Sequence, residues 1–469
     1  MHPLFKQEII RLIRLAFPVL IAQLIVMGMS VADTLMAGQV SATDLAAVAL
    51  GGSLIFPVIF FCQGILMAVT PLIASHFGAK RHRHIRQTLM QSLWLALGLS
   101  IVAMLISTQL RRVIVLIGHD PELISLANGY IHFLSFGILG ACFYQSLRGL
   151  NEGVGNTRII MIIGILGLIA NIPMNYVFIH GLLGMPRLGG AGCGLATAIV
   201  FTMMAVVMAL YIYKGKRYRY LSLLNIRTSP QWDKIYPILR LGFPIAGAIF
   251  FEVSLFSVIT ILMTPFGADT VAAHQIAVNF SGVIFMVPLS IGITLTIRVG
   301  HLLGEKKPKN ARFVGFLGLT MASLIAFVTA SGTVIFRSQI ASLYSSDPSV
   351  QAIAVHLLLI AAFFQFSDAL QVVTAGILRG YQDTRSILWI TLISYWPVGL
   401  GSGCILGLTN WITPKPLEAT GLWLSFVLGL SCAAILLISR FLMLSRNYQR
   451  WNPAINSDYQ SLNSSGAPM

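Results

Sequence analysis

Long apolar segments recur from end to end of this 469-residue chain, and they limit its fold more than any other feature. A helix of about 20 apolar residues spans the hydrocarbon core of a bilayer. Only helices and closed barrels satisfy their backbone polar groups in lipid. Barrel strands would alternate apolar and polar residues, whereas these segments are continuously apolar, so the pattern predicts transmembrane helices. The predicted spans are 9–37, 45–75, 88–109, 123–147, 159–182, 190–213, 237–265, 270–300, 312–335, 350–378, 386–408 and 418–444.

The composition supports an integral membrane protein. Hydrophobic residues make up 56% of the chain and charged residues only 10%, whereas soluble proteins carry roughly 25% charged residues. The net charge of +16 comes from loop residues, which set orientation in the membrane. We therefore expect contact with membrane lipid and no nucleic-acid partner.

The positions of the basic residues test the twelve-span prediction. If both termini are cytoplasmic, the spans place 26 of the 31 Lys and Arg residues on the cytoplasmic side and 5 outside. Cytoplasmic loops carry an excess of Lys and Arg, and a missed span would destroy this asymmetry. The distribution favours twelve spans with both termini in the cytoplasm.

The two halves of the chain repeat each other. Arg14–Pro18 recurs as Arg240–Pro244, and Ala46–Ala47 recurs as Ala272–Ala273, both at an offset of 226. Such repeats are typical of transporters, in which the substrate path runs between or within the halves. The predicted units are a six-helix lobe at 1–213, a basic cytoplasmic linker at 214–236, a second six-helix lobe at 237–446 and a polar, disordered tail at 447–469.

Three carboxylates lie deep inside apolar segments, where a charge is costly and is usually retained for function. Glu252 lies about 18 Å along a helix from Arg240, and Asp368 lies about 17 Å from Arg379. These two acids therefore share a depth near the midplane of the second half. Asp33 lies toward the outer end of the first span.

Two acids at one depth can share a proton or bind a monovalent cation, because burial favours the neutral form and a cation favours the ionised form. We therefore expect a site for Na⁺ or H⁺ at Glu252 and Asp368, with no cofactor. The five cysteines are widely spaced and form no metal-binding motif. The alternative is that each acid is hydrogen-bonded to a neighbouring helix for structure alone.

Neutral polar residues accompany these acids. Asn171 and Asn175 share one face of the fifth span because they are four residues apart. Gln275 and Asn279 on the eighth span are candidate contacts for an ion or a drug. Amide side chains can also serve only to hydrogen-bond across helices.

Several segments together identify the chain as similar to a known family, the multidrug and toxic compound extrusion (MATE) transporters, in their bacterial NorM-type branch. The segments that carry the resemblance are Val31–Gly38, Arg148–Gly153, Asn171–Asn175, Gly189–Gly194, Phe250–Val253, Ala272–Ala277, Arg298–His301 and Arg379–Asp383.

The resemblance implies an antiporter of the bacterial cytoplasmic membrane that exports cationic, lipophilic drugs and dyes in exchange for Na⁺ or H⁺. It implies that Glu252 and Asp368 hold the coupling ion. It also implies that Asp33, with Asn171 and Asn175, forms a drug or proton site. We expect a monomer.

Phe364, one turn before Asp368, departs from the family pattern. Related sequences can carry Tyr at this position, whose hydroxyl could contact the ion. The phenyl ring retains only the attraction of its face for a cation, so the resemblance leaves Na⁺ and H⁺ both open.

Three other functions compete with drug efflux. An exporter of an endogenous lipid-linked or metabolic substrate would more often place extra Arg or Lys in the cleft. A major-facilitator transporter would carry an Asp-Arg pair in the loop between spans two and three, which Gly78–Arg83 lacks. An intramembrane enzyme would need a motif such as HExxH or GxGD, which no span contains.

Overall fold

The computed structural model describes residues 3–117, 121–221, 229–412 and 414–446. Within these ranges every regular element is helical, and twelve helices are long and apolar enough to cross a membrane. The predicted all-α membrane fold with twelve spans is confirmed. The tail predicted at 447–469 lies outside the described residues.

The helices of the first half are α1 (Pro3–Val40), α2 (Ala42–Gly78), α3 (His82–Ile117), α4 (Pro121–Gly153), α5 (Thr157–His180) and α6 (Ala191–Lys214). Those of the second half are α7 (Trp232–Met263), α8 (Ala268–Gly304), α9 (Pro308–Tyr344), α10 (Pro348–Gly380), α11 (Thr384–Leu408) and α12 (Glu418–Arg446). Most are longer than the hydropathy spans, because a helix continues through polar residues beyond the apolar core.

The two halves pack their helices in the same way, which extends the sequence repeat to the tertiary structure. In the first half α4 contacts α2, α3 and α6, and α1 contacts α5. In the second half α10 contacts α8, α9 and α12, and α7 contacts α11. The chain therefore forms two lobes of one design, each built around a central helix.

Two short loops show the same repeat in their backbone. Lys80 follows α2 and Lys306 follows α8, at the same offset of 226 in the sequence. Both lysines adopt a left-handed conformation, with φ of 56° and 59°, which non-glycine residues rarely do. We call the side of the molecule that carries these two loops the basic side.

The lobes meet on the basic side. Arg298 of α8 donates from Nε to the Glu8 carboxylate of α1 at 2.8 Å, and its terminal nitrogen donates to the other oxygen at 2.5 Å. The His301 Nε2 atom lies 2.6 Å from the Gly153 carbonyl oxygen of α4. Gly78 of α2 packs against the backbone of His301. These contacts join α1, α2 and α4 of the first lobe to α8 of the second.

The linker between the lobes is anchored to the first lobe. Its 3₁₀ helix, Lys216–Leu221, buries the ring of Tyr218. The Tyr218 hydroxyl donates to the Asn151 side-chain oxygen and accepts from Asn156 Nδ2 at 3.0 Å. Within the predicted linker, residues 222–228 lie outside the described part of the chain.

Candidate functional site

Asp33 in the first lobe is buried and fully hydrogen-bonded. Its Oδ1 atom accepts from Asn175 Nδ2 at 2.6 Å and from Asn171 Nδ2 at 3.2 Å. Its Oδ2 atom accepts from the Thr197 hydroxyl at 2.8 Å. The structure thus brings together the three residues grouped from the sequence and adds Thr197 of α6. Three donors stabilise the ionised carboxylate against the cost of burial.

Asparagines 171 and 175 reach Asp33 because both lie on one face of α5, which packs against α1. The Asn175 amide also donates to the Asn171 oxygen at 3.2 Å. The Asn175 oxygen itself is buried and has no hydrogen-bond partner among the described residues. Such an orphaned acceptor is costly, so the Asn175 oxygen is an unsatisfied polar atom next to Asp33.

A cavity of about 140 Å³ opens beside Asp33. Its other polar lining residues are Ser30, Thr34, Ser53 and Tyr130, and apolar side chains including Phe56 complete the wall. A carboxylate in a pocket that also offers apolar side chains and aromatic rings is suited to an organic cation, which combines a charge with a hydrophobic body.

Within the described structure, the two acids of the second lobe lack the hydrogen bonds that Asp33 has in the first. Asp368 of α10 is buried and Glu252 of α7 is half-buried. The Glu252 carboxylate lies within electrostatic range of the Asp368 carboxylate. Among the described residues, no hydrogen bond or ion pair reaches either carboxylate. Two interacting carboxylates in a medium of low dielectric are not both stable as ions without a proton or a cation.

Oxygen atoms near Asp368 could complete a cation site. A cavity of about 10 Å³ beside Asp368 is also lined by Ser281, Thr329 and Gln365, and the buried Ser281 hydroxyl has no partner in the described structure. Carboxylate, hydroxyl and amide oxygens are the ligands that hard cations prefer. Sequence analysis missed Ser281 because a single serine in an apolar span gives no pattern.

Arg379 is a second residue that sequence analysis did not place in the site. It was counted among the cytoplasmic loop cations, but it lies in the last turn of α10, and its charge acts on Glu252. The buried Nε atom of Arg379 has no partner among the described residues. Tyr395 of α11, which accepts a hydrogen bond from Gln371, also lies within electrostatic reach of both acids.

Arg379 differs from the arginine at the equivalent position of the first lobe in having no carboxylate partner among the described residues. Its first-lobe counterpart, Arg148, donates to Glu152 at 2.7 Å and to Gln23 at 2.9 Å, so the first lobe neutralises this charge locally. In the second lobe the equivalent charge instead acts on Glu252. The same scaffold position therefore serves packing in one lobe and the acid pair in the other.

The other residues predicted to contact an ion or a drug are Phe364, Gln275 and Asn279. Phe364 is buried in an aromatic cluster, with ring centroids 6.0 to 6.1 Å from Phe256, Trp423 and Phe426. Gln275 and Asn279 are exposed on α8, and neither lines the cavity beside Asp368. Within the described ranges, no group of three or more His, Cys, Asp or Glu side chains could hold a metal ion.

The chain matches the family model described as MatE over residues 18–177 and 244–405, one match in each lobe. It is 45% identical over 446 residues to "Multidrug resistance protein NorM" of Aliivibrio fischeri, covering 95% of this chain and 97% of that protein. It is 44% identical over 436 residues to "Multidrug resistance protein MdtK" of Yersinia pseudotuberculosis, covering 93% and 95%.

Solved structures share the fold at low sequence identity. A crystal structure titled as MATE in complex with MaL6 superposes with a TM-score of 0.85 at 21% identity, covering 94% of this chain and 97% of that one. The eukaryotic MATE transporter AtDTX14 gives a TM-score of 0.82 at 18% identity, covering 94% and 98%.

Proposed function

This chain belongs to the MatE family, and we propose that it is an antiporter that exports cationic, lipophilic drugs and dyes in exchange for Na⁺ or H⁺. The coarser conclusions need no proposal: the chain is a multi-pass bacterial membrane transporter of the multidrug-efflux type, and not an enzyme. Our proposal concerns the coupling ion, the substrate class and the residues that bind each of them.

The single observation that carries the proposal is the pair of carboxylates, Glu252 and Asp368, without protein partners. A carboxylate with no hydrogen bond or ion pair from the described residues fastens no helices together, so packing alone does not account for these two acids. These two acids instead require a proton or a monovalent cation from outside the protein. We assign the coupling ion to them, with Ser281 and Gln365 as candidate oxygen ligands.

We assign the drug or proton site to Asp33, with Asn171 and Asn175. The cavity beside Asp33 supplies apolar side chains and a carboxylate. The hydrogen bonds from Asn171, Asn175 and Thr197 hold this carboxylate in place, so that an organic cation or a proton can bind to it.

Exchange requires that each ligand favour a different arrangement of the lobes. The lobes meet on the basic side, which the positive-inside rule places in the cytoplasm together with both termini. We therefore take this arrangement as outward-facing. In the proposed cycle, ion binding at the acid pair favours release of the lobe contacts, and drug binding from the cytoplasm favours their return.

The test is dye efflux from membrane vesicles that carry Glu252→Gln, Asp368→Asn or Asp33→Asn, each compared with the wild type under a Na⁺ gradient and under a proton gradient. We expect each substitution to slow efflux by roughly tenfold or more. Asp233→Asn is the matched control, because Asp233 is exposed at the start of α7 and pairs only with Lys234. Wild-type rates in all three variants would exclude the assignment, and replacing Na⁺ by choline at fixed pH identifies the ion.

A further inference from the structure

A basic cavity of about 380 Å³ lies on the basic side, at the start of α5 and apart from both acid sites. Three arginines line it from separate elements: Arg14 from α1, Arg158 from α5 and Arg217 from the linker. None of the described residues that line it is acidic. Three like charges in one cavity repel each other unless an anion lies between them.

The nearby acids are already engaged. Glu8 is held by both nitrogens of Arg298, and Arg11 lies 3.7 Å from it. Glu152 accepts from Arg148 and from the Thr70 hydroxyl. Neither carboxylate therefore supplies the charge that the three arginines lack.

The start of α5 adds hydrogen-bond donors to this cavity. Asn156 holds the N-cap position but does not cap the helix, because its Nδ2 atom donates to the Tyr211 and Tyr218 hydroxyls at 3.2 and 3.0 Å. The N–H groups of the first turn thus have no side-chain cap. Thr157 lines the cavity, is 2% exposed, and forms no side-chain hydrogen bond with the described residues.

At the equivalent position of the second lobe, the chain itself supplies a carboxylate. The residue before α11 is Asp383, where the first lobe has Asn156 before α5. The Asp383 carboxylate accepts from Arg440 Nε at 2.7 Å and from the Ser386 hydroxyl at 2.9 Å. The first lobe thus keeps the helix start but has an amide in place of the acid.

We propose that the cavity binds a phosphate-bearing anion, with Arg14, Arg158 and Arg217 as its cationic ligands and Thr157 as a neutral donor. Guanidinium groups match phosphate oxygens in geometry and charge, and a helix start favours an anion. The source is either the headgroup of an anionic lipid in the adjoining leaflet or a soluble phosphate ester. Because Arg217 belongs to the linker, the bound anion would fasten the connection between the lobes to α1 and α5.

The experiment measures the thermal unfolding midpoint of the purified full-length protein in detergent, in a buffer free of phosphate and sulfate. Phosphatidylglycerol, phosphatidylcholine of matched acyl chains, glycerol 3-phosphate and inorganic phosphate are added separately. Because a ligand of the folded state stabilises it in proportion to its occupancy, we expect phosphatidylglycerol to raise the midpoint by a few degrees more than phosphatidylcholine. An equal rise with glycerol 3-phosphate or inorganic phosphate would identify a soluble source and equally supports the site.

Variants separate this site from a diffuse charge effect. Arg158→Gln and Arg217→Gln should each remove most of the rise, and Arg158→Lys should restore part of it. Arg83→Gln is the matched control, since Arg83 is exposed on the same side and lines neither this cavity nor the loop cavity at Lys80. The proposal fails if no phosphate compound raises the midpoint, or if Arg83→Gln reduces the rise as much as Arg158→Gln does. Native mass spectrometry of retained lipid gives a second readout for any variant of altered stability.

Discussion

At the scale of single residues, the two lobes differ in how they hold their acids. Asp33 has three donors within 3.2 Å, whereas Glu252 and Asp368 have each other and the charge of Arg379. Donors hold a carboxylate in place, while an acid pair without donors responds to whatever cation is present. We therefore expect the ion occupancy of the second-lobe pair to change during transport, in addition to the drug or proton site proposed at Asp33.

The role of Arg379 can be tested by removing its charge. In Arg379→Gln the acid pair loses the positive charge that acts on Glu252, so we expect it to hold the coupling ion more tightly. The Na⁺ or H⁺ concentration that gives half-maximal dye efflux should fall, by roughly five-fold or more, and the maximal rate should fall because release slows. Arg385→Gln, which removes an exposed arginine in the first turn of α11, should change neither value. An unchanged ion dependence in Arg379→Gln would show that its charge does not act on the pair.

The sequence indicates some of these residues and conceals others. Asp33, Glu252 and Asp368 stand out because a charge in an apolar span is rare. Thr197 and Ser281 do not stand out in the sequence, because hydroxyl residues are common in membrane helices. The effect of Arg379 on Glu252 is not visible in the sequence, since an arginine at the end of a span resembles a loop cation.

At the scale of the helices, α8 and α10 approach each other closely where Gly292 meets Gly376. A Cβ atom added at Gly376 of α10 would collide with the Gly292 carbonyl oxygen of α8. The Thr296 hydroxyl donates to the Gly376 carbonyl oxygen at 2.8 Å. Asp368 lies two turns before Gly376 on the same helix, so this contact sets the distance of the acid from α8.

Gly376→Ala tests this contact. The added methyl group must push α8 and α10 apart, which costs about 1–3 kcal/mol for overpacking in a tight core. We expect a lower thermal unfolding midpoint in detergent and slower dye efflux, because Asp368 moves relative to Ser281. Gly282→Ala on α8 is the control, since nothing lies within 4 Å of a Cβ atom there. Equal midpoints for the two variants would mean that the helices can separate without cost.

At the scale of the whole molecule, contacts on the basic side join the lobes, and α2 also packs against α7 where Gly64 meets Ala246. The paired hydrogen bonds of Arg298 to Glu8 cross the lobe boundary, and both side chains are largely buried, at 8% and 14% exposure. Hydrogen bonds to charged groups at such sites contribute roughly 1.5–3 kcal/mol. This ion pair therefore favours the arrangement in which the lobes are joined at the basic side.

Glu8→Gln should shift the molecule away from that arrangement. Leaving Arg298 without its carboxylate weakens the junction. We therefore expect a cysteine placed at Ala79, which lies beside Gly304 of α8, to react faster with a membrane-impermeant thiol reagent applied to inside-out vesicles. The five native cysteines are first replaced by serine, and Asp233→Asn is the control for loss of an acid on the same side. A reaction rate equal to that of the control would indicate that other contacts hold the lobes together.

The sequence alone determined the class of the molecule, its twelve spans and its twofold repeat. It could do so because the length of an apolar segment and the sidedness of Lys and Arg are properties of the chain in a bilayer, independent of helix packing. Only the tertiary structure decided which side chains meet. Thr197 reaches Asp33, Arg379 acts on Glu252 and Asn156 turns away from its helix start because helices more than fifty residues apart pack together. A hydropathy pattern records the apolar length of each span, and it does not record which face of one helix another helix will cover.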